Sequence, residues 1–383
     1  MVQWDSYPRH TPSTTMTTRT HFLLAIPLAL ALLPAAAQAA GPAPACDTPS
    51  IEAAGFAASK LCALLDAPAR DGANVHAIVV LRHGAVVAER YYEGRDRSIW
   101  SPFARTVQFD ANTRHDLRSV SKSVTSLLWG IAQGEGRMPA LGTPVLDLYP
   151  ELADLKTAGR EAVTVRQLFT MTNGLAWEEP IRYGMRNDET GLYWRSSQAR
   201  YLFDRPLVAK DVFNYNGGTT AVLADILARR TGMPLQDYAR QKLFAPLGIT
   251  EWEWQKDVRL RPMAFAGLRL RPRDLATIGQ LVLQRGQWQG RQVVPAQWID
   301  ESLKAHVETG DGLQYGYQWW SGTVEALGGK HRWYAGFGNG GQRLYIVPTL
   351  DLVVVSTAGG YDDAGSGRHA GALFRSIAGS LTR

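Results

Sequence analysis

Ser119 and Lys122 stand three residues apart in the segment Arg118-Ser119-Val120-Ser121-Lys122-Ser123-Val124-Thr125-Ser126-Leu127-Leu128. On a helix, positions i and i+3 share a face, so the lysine amine reaches the serine hydroxyl. A hydroxyl is a weak nucleophile until a neighbouring base takes its proton, and this spacing supplies an amine within one turn. Roughly one Ser-x-x-Lys arises by chance in a chain of this length at average residue usage, so the setting has to carry the argument. Val120, Val124, Leu127, Leu128 and Ile131 recur at helical spacing, and Gly134 or Gly136 ends the run. The pattern predicts a buried helix with Ser119 and Lys122 at its N-terminal end. Buried lysines are rare unless paired or at work. The start of a helix also offers unpaired backbone N–H groups to a developing oxyanion.

Two further segments carry usable chemistry. Phe213-Asn214-Tyr215-Asn216-Gly217-Gly218-Thr219 reads as a loop entering a helix. Tyr215 there is either a core aromatic or a phenol poised beside Ser119. Next to an ammonium the phenolate is favoured, which suits it to act as a base. Tyr334-Ala335-Gly336-Phe337-Gly338-Asn339-Gly340-Gly341-Gln342 lies between strand signals. Glycines in a strand mark close approach of another backbone, so Gly336, Phe337, Gly338 and Asn339 read as a substrate edge or, failing that, a bulged turn. The register leaves open whether Phe337 or Asn339 presents the second oxyanion N–H.

These residues need a scaffold. Residues 75–81 and 85–92 are apolar and β-branched around Arg82-His83-Gly84, a hairpin pattern. Residues 51–66 read as one helix and 94–117 as irregular chain. Thr164 caps a helix, residues 219–230 form another, and 176–210 form a polar, aromatic loop long enough to be functional. Strand character returns at 315–320, 332–335, 343–347 and 352–356, with Pro348-Thr349-Leu350-Asp351 joining the last pair. Residues 370–381 close the chain as a helix. Strands at both ends with helices between predict an α/β (α+β) fold: one antiparallel sheet flanked by helices, plus an all-helical region.

The chain has 383 residues, 45% of them hydrophobic, with 12 Trp and 14 Tyr, enough for a sizeable core. Its net charge of +6 is spread out, with no basic run suited to nucleic acid. Met16-Thr17-Thr18-Arg19, an apolar run over 22–33 and Ala37-Gln38-Ala39 read as a secretion signal. The organisation expected is a leader over 1–40, a linker and helix over 41–70, and a single domain over 71–383. The mature protein is then secreted or periplasmic, with no integral membrane segment. Cys46 and Cys62 are the two cysteines, and either close a local disulfide or are unrelated thiols; a lipid anchor at Cys46 has a poor motif. No Cys/His spacing marks a zinc site and there is no His-Glu-x-x-His, so no metal or cofactor is expected.

Taken together, Ser119-Val120-Ser121-Lys122, Leu168-Phe169-Thr170-Met171-Thr172-Asn173-Gly174-Leu175-Ala176-Trp177, Phe213-Asn214-Tyr215-Asn216-Gly217-Gly218, Tyr315-Gly316-Tyr317-Gln318-Trp319-Trp320 and Gly338-Asn339-Gly340-Gly341-Gln342 resemble the β-lactamase-related serine hydrolases and penicillin-binding proteins. The resemblance runs in order over about residues 70–383. It is nearest the branch of 6-aminohexanoate-dimer hydrolases and class C-like esterases. It implies Ser119 as nucleophile, Lys122 and Tyr215 sharing the general-base work, and an oxyanion held by the Ser119 N–H and the glycine-rich edge.

Departures from the family pattern sharpen the expectation. Asn216 directly follows Tyr215, where relatives have Tyr-x-Asn. Lys210-Asp211 stands where relatives often have Pro-Gly. The edge lacks the cation of Lys-Thr-Gly, which argues against efficient β-lactam hydrolysis. The expected activity is cleavage of a small ester or amide through an acyl-enzyme. Trp177, Tyr183, Tyr193, Trp194, Trp319 and Tyr334 are candidates for an apolar pocket, with Asn216 as a further substrate-pocket candidate. A D,D-peptidase or β-lactamase is the alternative within the class, and a non-catalytic cell-envelope binding protein the alternative outside it. His115, close before Ser119, is read as structural.

Overall fold

The computed structural model describes residues 46–179, 184 and 186–383; the expected leader and Tyr183 lie outside them. The N-terminal helices are α1 (Thr48–Ala53), α2 (Ala58–Asp66) and α3 (Pro68–Asp71). The strands that follow are β1 (Val75–Arg82), β2 (Ala85–Tyr91), β3 (Glu93–Asp96), β4 (Arg105–Gln108) and β5 (His115–Asp116). A helical stretch then runs through α4 (Val120–Gly134), α5 (Val165–Thr170), α6 (Asp188–Leu192), α7 (Gln198–Phe203), α8 (Gly217–Thr231) and α9 (Leu235–Ala239). Short strands β6 (Trp252–Trp254) and β7 (Leu268–Leu270) lead to α10 (Pro272–Leu283), the ribbon β8 (Gln287–Trp288) and β9 (Arg291–Gln292), and α11 (Ala296–Leu303). The chain finishes with β10 (Val307–Glu308), β11 (Gln314–Tyr315), β12 (Trp320–Ala326), β13 (Gly329–Gly338), β14 (Gln342–Val347), β15 (Leu352–Ala358) and α12 (Ala364–Ala378).

Both ends of the chain build one eight-stranded sheet in the order β10-β11-β12-β13-β14-β15-β1-β2, antiparallel throughout. Its central strands are covered on both faces, which is why β1 and β15 are buried at every position and read as unbroken apolar runs. Val79, Leu81, Leu344, Ile346, Val353 and Val355 pack on one side into a core that includes α4, α8 and α10. Ile78, Val80, Tyr345, Val347, Leu352 and Val354 pack on the other against α2 and α12. The mixed architecture with inserted helices is the one predicted.

Local departures have identifiable causes. The helix expected over 51–66 breaks at Gly55, which takes φ +79, giving α1 and α2. Residues 94–117 are not irregular: they contain β3–β4 and β5, the latter paired with β7. Residues 315–320 are not one strand, because Gln318 at φ +67 turns the chain between β11 and β12. The loop over 176–210 contains α6 and α7. Thr164 does cap α5, in a reciprocal box with Gln167. Cys46 and Cys62 are joined as a disulfide. Among the described residues, no helix is long and apolar enough to cross a membrane.

Candidate active site

Ser119 is the N-cap residue of α4, reached from β5 through Leu117 and Arg118. Arg118 takes φ +49, a strained conformation for a bulky residue. Its guanidinium lies 4.2 Å from the ring centre of Tyr361 and donates to the Arg97 carbonyl at 2.9 Å. The turn that presents the serine is thus clamped from its own side chain.

Lys122 follows one turn later and is 1% exposed. Its Nζ donates to Ser119 Oγ at 2.9 Å, to the Phe265 carbonyl at 3.0 Å and to Glu189 Oε2 at 3.2 Å. Tyr215, in the loop before α8, neighbours the same Ser119 hydroxyl, and its ring centre lies 4.9 Å from Lys122 Nζ. An alcohol, an amine and a phenol from two distant segments therefore meet at one point.

Two residues that the sequence reading missed complete the charge balance. Glu189 on α6 is fully buried against Lys122. Glu179 places Oε1 3.9 Å from Lys122 Nζ, while its Oε2 accepts from Trp177 Nε1 at 2.8 Å and from the Gly217 N–H at 2.7 Å. Burial, reinforced by the facing Glu189, pushes the Glu179 carboxyl well above its usual range, so it keeps its proton. Burial opposes the Lys122 ammonium, but Tyr215, Glu189 and Glu179 outweigh it, and the amine stays charged. For Tyr215 the outcome opposes the phenolate expected from sequence. Burial raises its pKa more than Lys122 lowers it, so the resting phenol is neutral. The one available signal for these acids was Lys122 itself, since a buried ammonium demands a counter-charge.

The glycine-rich edge is where β13 meets the Ser119 turn. A Cβ on Gly338 would lie 2.3 Å from the Leu117 carbonyl, and one on Gly336 would lie 2.9 Å from Val120 Cγ1. Glycine lets β13 press against the Ser119 turn. The last β12–β13 register pair is Trp320–Ala335, so Gly336–Gly338 continue past β12 as uncovered strand edge. Phe337 faces the opposite side, stacked on Trp320 at 5.4 Å. Asn339 is drawn away, accepting from the Asp362 N–H at 2.9 Å and donating to its carboxylate at 3.1 Å.

The proposed pocket residues fare unevenly. Trp177 is 5% exposed and positions Glu179. Tyr193 is buried, stacked on Phe265 at 5.7 Å. Trp319 is 1% exposed and belongs to the core. Asn216 is a correction: it is fully buried and caps α8, accepting from the Thr219 N–H at 3.2 Å. Tyr334 is half-buried on the β13 face shared by Gly336 and Gly338, and Trp194 is exposed. The aromatics that do adjoin Tyr215 are Trp320 and Tyr315, with ring centres at 5.7 and 6.4 Å, and Phe213 packs against both. The turn at Gln318 explains the exchange: Trp319 leaves it into the core, whereas Trp320 opens β12 beside Tyr215.

Fold and matched sequence together define the class: this chain belongs to the beta-lactamase family, whose pattern matches residues 61–374, and it is a serine hydrolase. The 6-aminohexanoate-dimer hydrolase of Paenarthrobacter ureafaciens is 28% identical over 301 residues, 73% of this chain and 71% of that one. A penicillin-binding protein homologue from Caulobacter crescentus shares the fold with a TM-score of 0.63 at 18% identity, covering 83% of this chain and 97% of that one. A family VIII carboxylesterase does so with a TM-score of 0.62 at 15% identity, covering 83% and 97%.

Proposed function

We propose that the protein cleaves a small ester or amide through an acyl-enzyme on Ser119, with Lys122 and Tyr215 handling the protons. The observation that carries this reading is the convergence on one hydroxyl: Lys122 Nζ donates to Ser119 Oγ at 2.9 Å, and the Tyr215 ring lies 4.9 Å from that nitrogen. A charged Lys122 cannot accept a proton, so it first passes one to Glu189, 3.2 Å away. The freed amine takes the Ser119 proton as Oγ attacks the carbonyl carbon. The oxyanion forms at the N-terminus of α4, where backbone N–H groups stabilise it. Tyr215 then protonates the leaving alcohol or amine and recovers a proton from Lys122, and Glu189 returns its proton to the amine. Water repeats the sequence to release the acid.

Ester or amide cleavage is preferred to β-lactam hydrolysis for a stated reason. Arg343, the cation nearest the edge in sequence, packs 4.4 Å from the ring centre of Phe337 and donates to the Gly338 carbonyl at 3.0 Å. Its guanidinium is therefore already engaged within the β13–β14 hairpin. The half-buried aromatics Phe213 and Trp320, beside Tyr215, suit an apolar acyl group. Export fits the Cys46–Cys62 disulfide, since such bonds persist in oxidising compartments.

The test is Ser119→Ala. Turnover of a p-nitrophenyl ester and labelling by a fluorophosphonate are both expected to vanish, and retained activity refutes the nucleophile. Efficient labelling by fluorescent penicillin without esterase turnover would overturn the substrate class.

A further inference from the structure

A second chemical cluster lies outside the Ser119 site. His76 on β1, Asp96 on β3 and His115 on β5 bring one ligand atom each to within 4.8 Å of the others, all buried. His76 Nδ1 and His115 Nε2 are 2.7 Å apart, and Asp96 Oδ1 is 3.8 Å from His115 Nε2.

The outer partners of the two rings determine which nitrogens carry protons. His115 Nδ1 faces the Asp116 carbonyl at 2.9 Å and must donate to it, leaving Nε2 bare. His76 Nε2 faces Asn74 Oδ1 at 3.3 Å. The Asn74 amide cannot turn, because Nδ2 donates to the Arg95 carbonyl at 2.9 Å and Oδ1 accepts from the Arg95 N–H at 2.8 Å. His76 Nε2 therefore donates as well, leaving Nδ1 bare. Two imidazole lone pairs then point at each other in a dry interior beside a carboxylate. Such an arrangement suits a cation between the two nitrogens.

We propose that His76 Nδ1, His115 Nε2 and Asp96 Oδ1 bind a divalent transition-metal ion of the zinc class. Two neutral imidazoles and a carboxylate are a common donor set for zinc. The outer shell is also the one such ligands use: each ring donates its far N–H to an oxygen, and Tyr361 donates to Asp96 Oδ1 at 2.8 Å. Metal–ligand bonds of about 2.0–2.1 Å put tetrahedral ligand atoms about 3.3 Å apart, so the two nitrogens separate by about 0.6 Å on binding. A cavity of about 390 Å³ lined by Asn74, Arg95, Arg97, Gly359, Tyr361 and Asp362 abuts the cluster and offers an entry path. The ion would pin three strands together, one of them ending three residues before Ser119. It takes no part in the acyl transfer.

The test uses the untagged full chain, stripped with EDTA and titrated with Co²⁺ and Zn²⁺. One equivalent of Co²⁺ is expected to give ligand-field bands between about 500 and 650 nm. One Zn²⁺ should remain per chain after dialysis, and Tm should rise until one equivalent is reached. His76→Gln and Asp96→Asn, each checked by circular dichroism and ester turnover, should abolish all three, whereas His83→Gln should not. Two exchangeable, hyperfine-shifted imidazole N–H signals in the Co²⁺ form identify the ligands even if those variants fail to fold. A folded wild-type chain that takes up no stoichiometric metal, or uptake that survives in both folded variants, overturns the proposal.

Discussion

Lys122 Nζ lies 3.2 Å from Glu189 Oε2, with both side chains sealed from solvent. The ammonium that touches the Ser119 hydroxyl is therefore neutralised from behind by an acid on α6. Glu189→Gln should lower kcat at least tenfold and cost about 3 kcal/mol of stability, the scale for breaking a buried pair. Glu179, 3.9 Å from the same nitrogen, can ionise in its place and soften the loss. The Glu179→Gln/Glu189→Gln double variant should consequently lose more than the two single losses added together. Urea unfolding and initial rates check both expectations; simple additivity would show the pair is not shared.

Glu179 also sets a pH dependence. Its folded pKa is raised well above the usual 4.5 by burial and by Glu189. Above that ordinary value the folded state binds a proton that the unfolded chain has released. Stability therefore falls as pH rises, by up to about 1.4 kcal/mol per unit, until the folded group itself ionises. Glu179→Gln should flatten the urea midpoint between pH 5 and 9 relative to wild type. Parallel profiles for the two proteins would refute the raised carboxyl.

Neighbouring tryptophans should separate stability from specificity. Trp319→Ala empties a core position and should cost about 3–5 kcal/mol. Trp320→Ala should cost less but raise KM for apolar acyl esters about tenfold. A panel of p-nitrophenyl esters of increasing chain length, read beside thermal melts, distinguishes the two. If Trp320→Ala leaves chain-length preference untouched, its ring does not line the acyl pocket.

Gly338 tests the close approach of β13 to the Ser119 turn. An alanine Cβ there would collide with the Leu117 carbonyl at 2.3 Å. Gly338→Ala should destabilise the protein by about 1–3 kcal/mol. It should also lower kcat by about 100-fold, because the displaced backbone leads directly into Ser119. Normal kinetics in a folded variant would mean that the edge and the turn are not in register as described.

Much of this was legible in the linear pattern because it rests on local physics. The α4 stripe from Val120 to Ile131, the Thr164 cap and the apolar runs of β1 and β15 reflect periodicity and capping, which act over a few residues. That both ends of the chain share one sheet followed from strands at both termini, whereas the pairing of β1 with β15 did not. The loop over 176–210 was not legible. Its value lies in Glu179 and Glu189, whose roles depend on a lysine more than fifty residues earlier. Trp319 and Trp320 are equivalent as letters, and only the turn at Gln318 sends one inward.

By itself, the order of residues determined which groups could do chemistry and which short elements would carry them, since reactivity and local propensity belong to residues and their near neighbours. The tertiary structure decided which of those groups touch, which carboxyl keeps its proton, and that His76, Asp96 and His115 meet at all. Those outcomes depend on burial and on separations of a few ångströms between segments far apart in the chain, and neither quantity is written in local spacing.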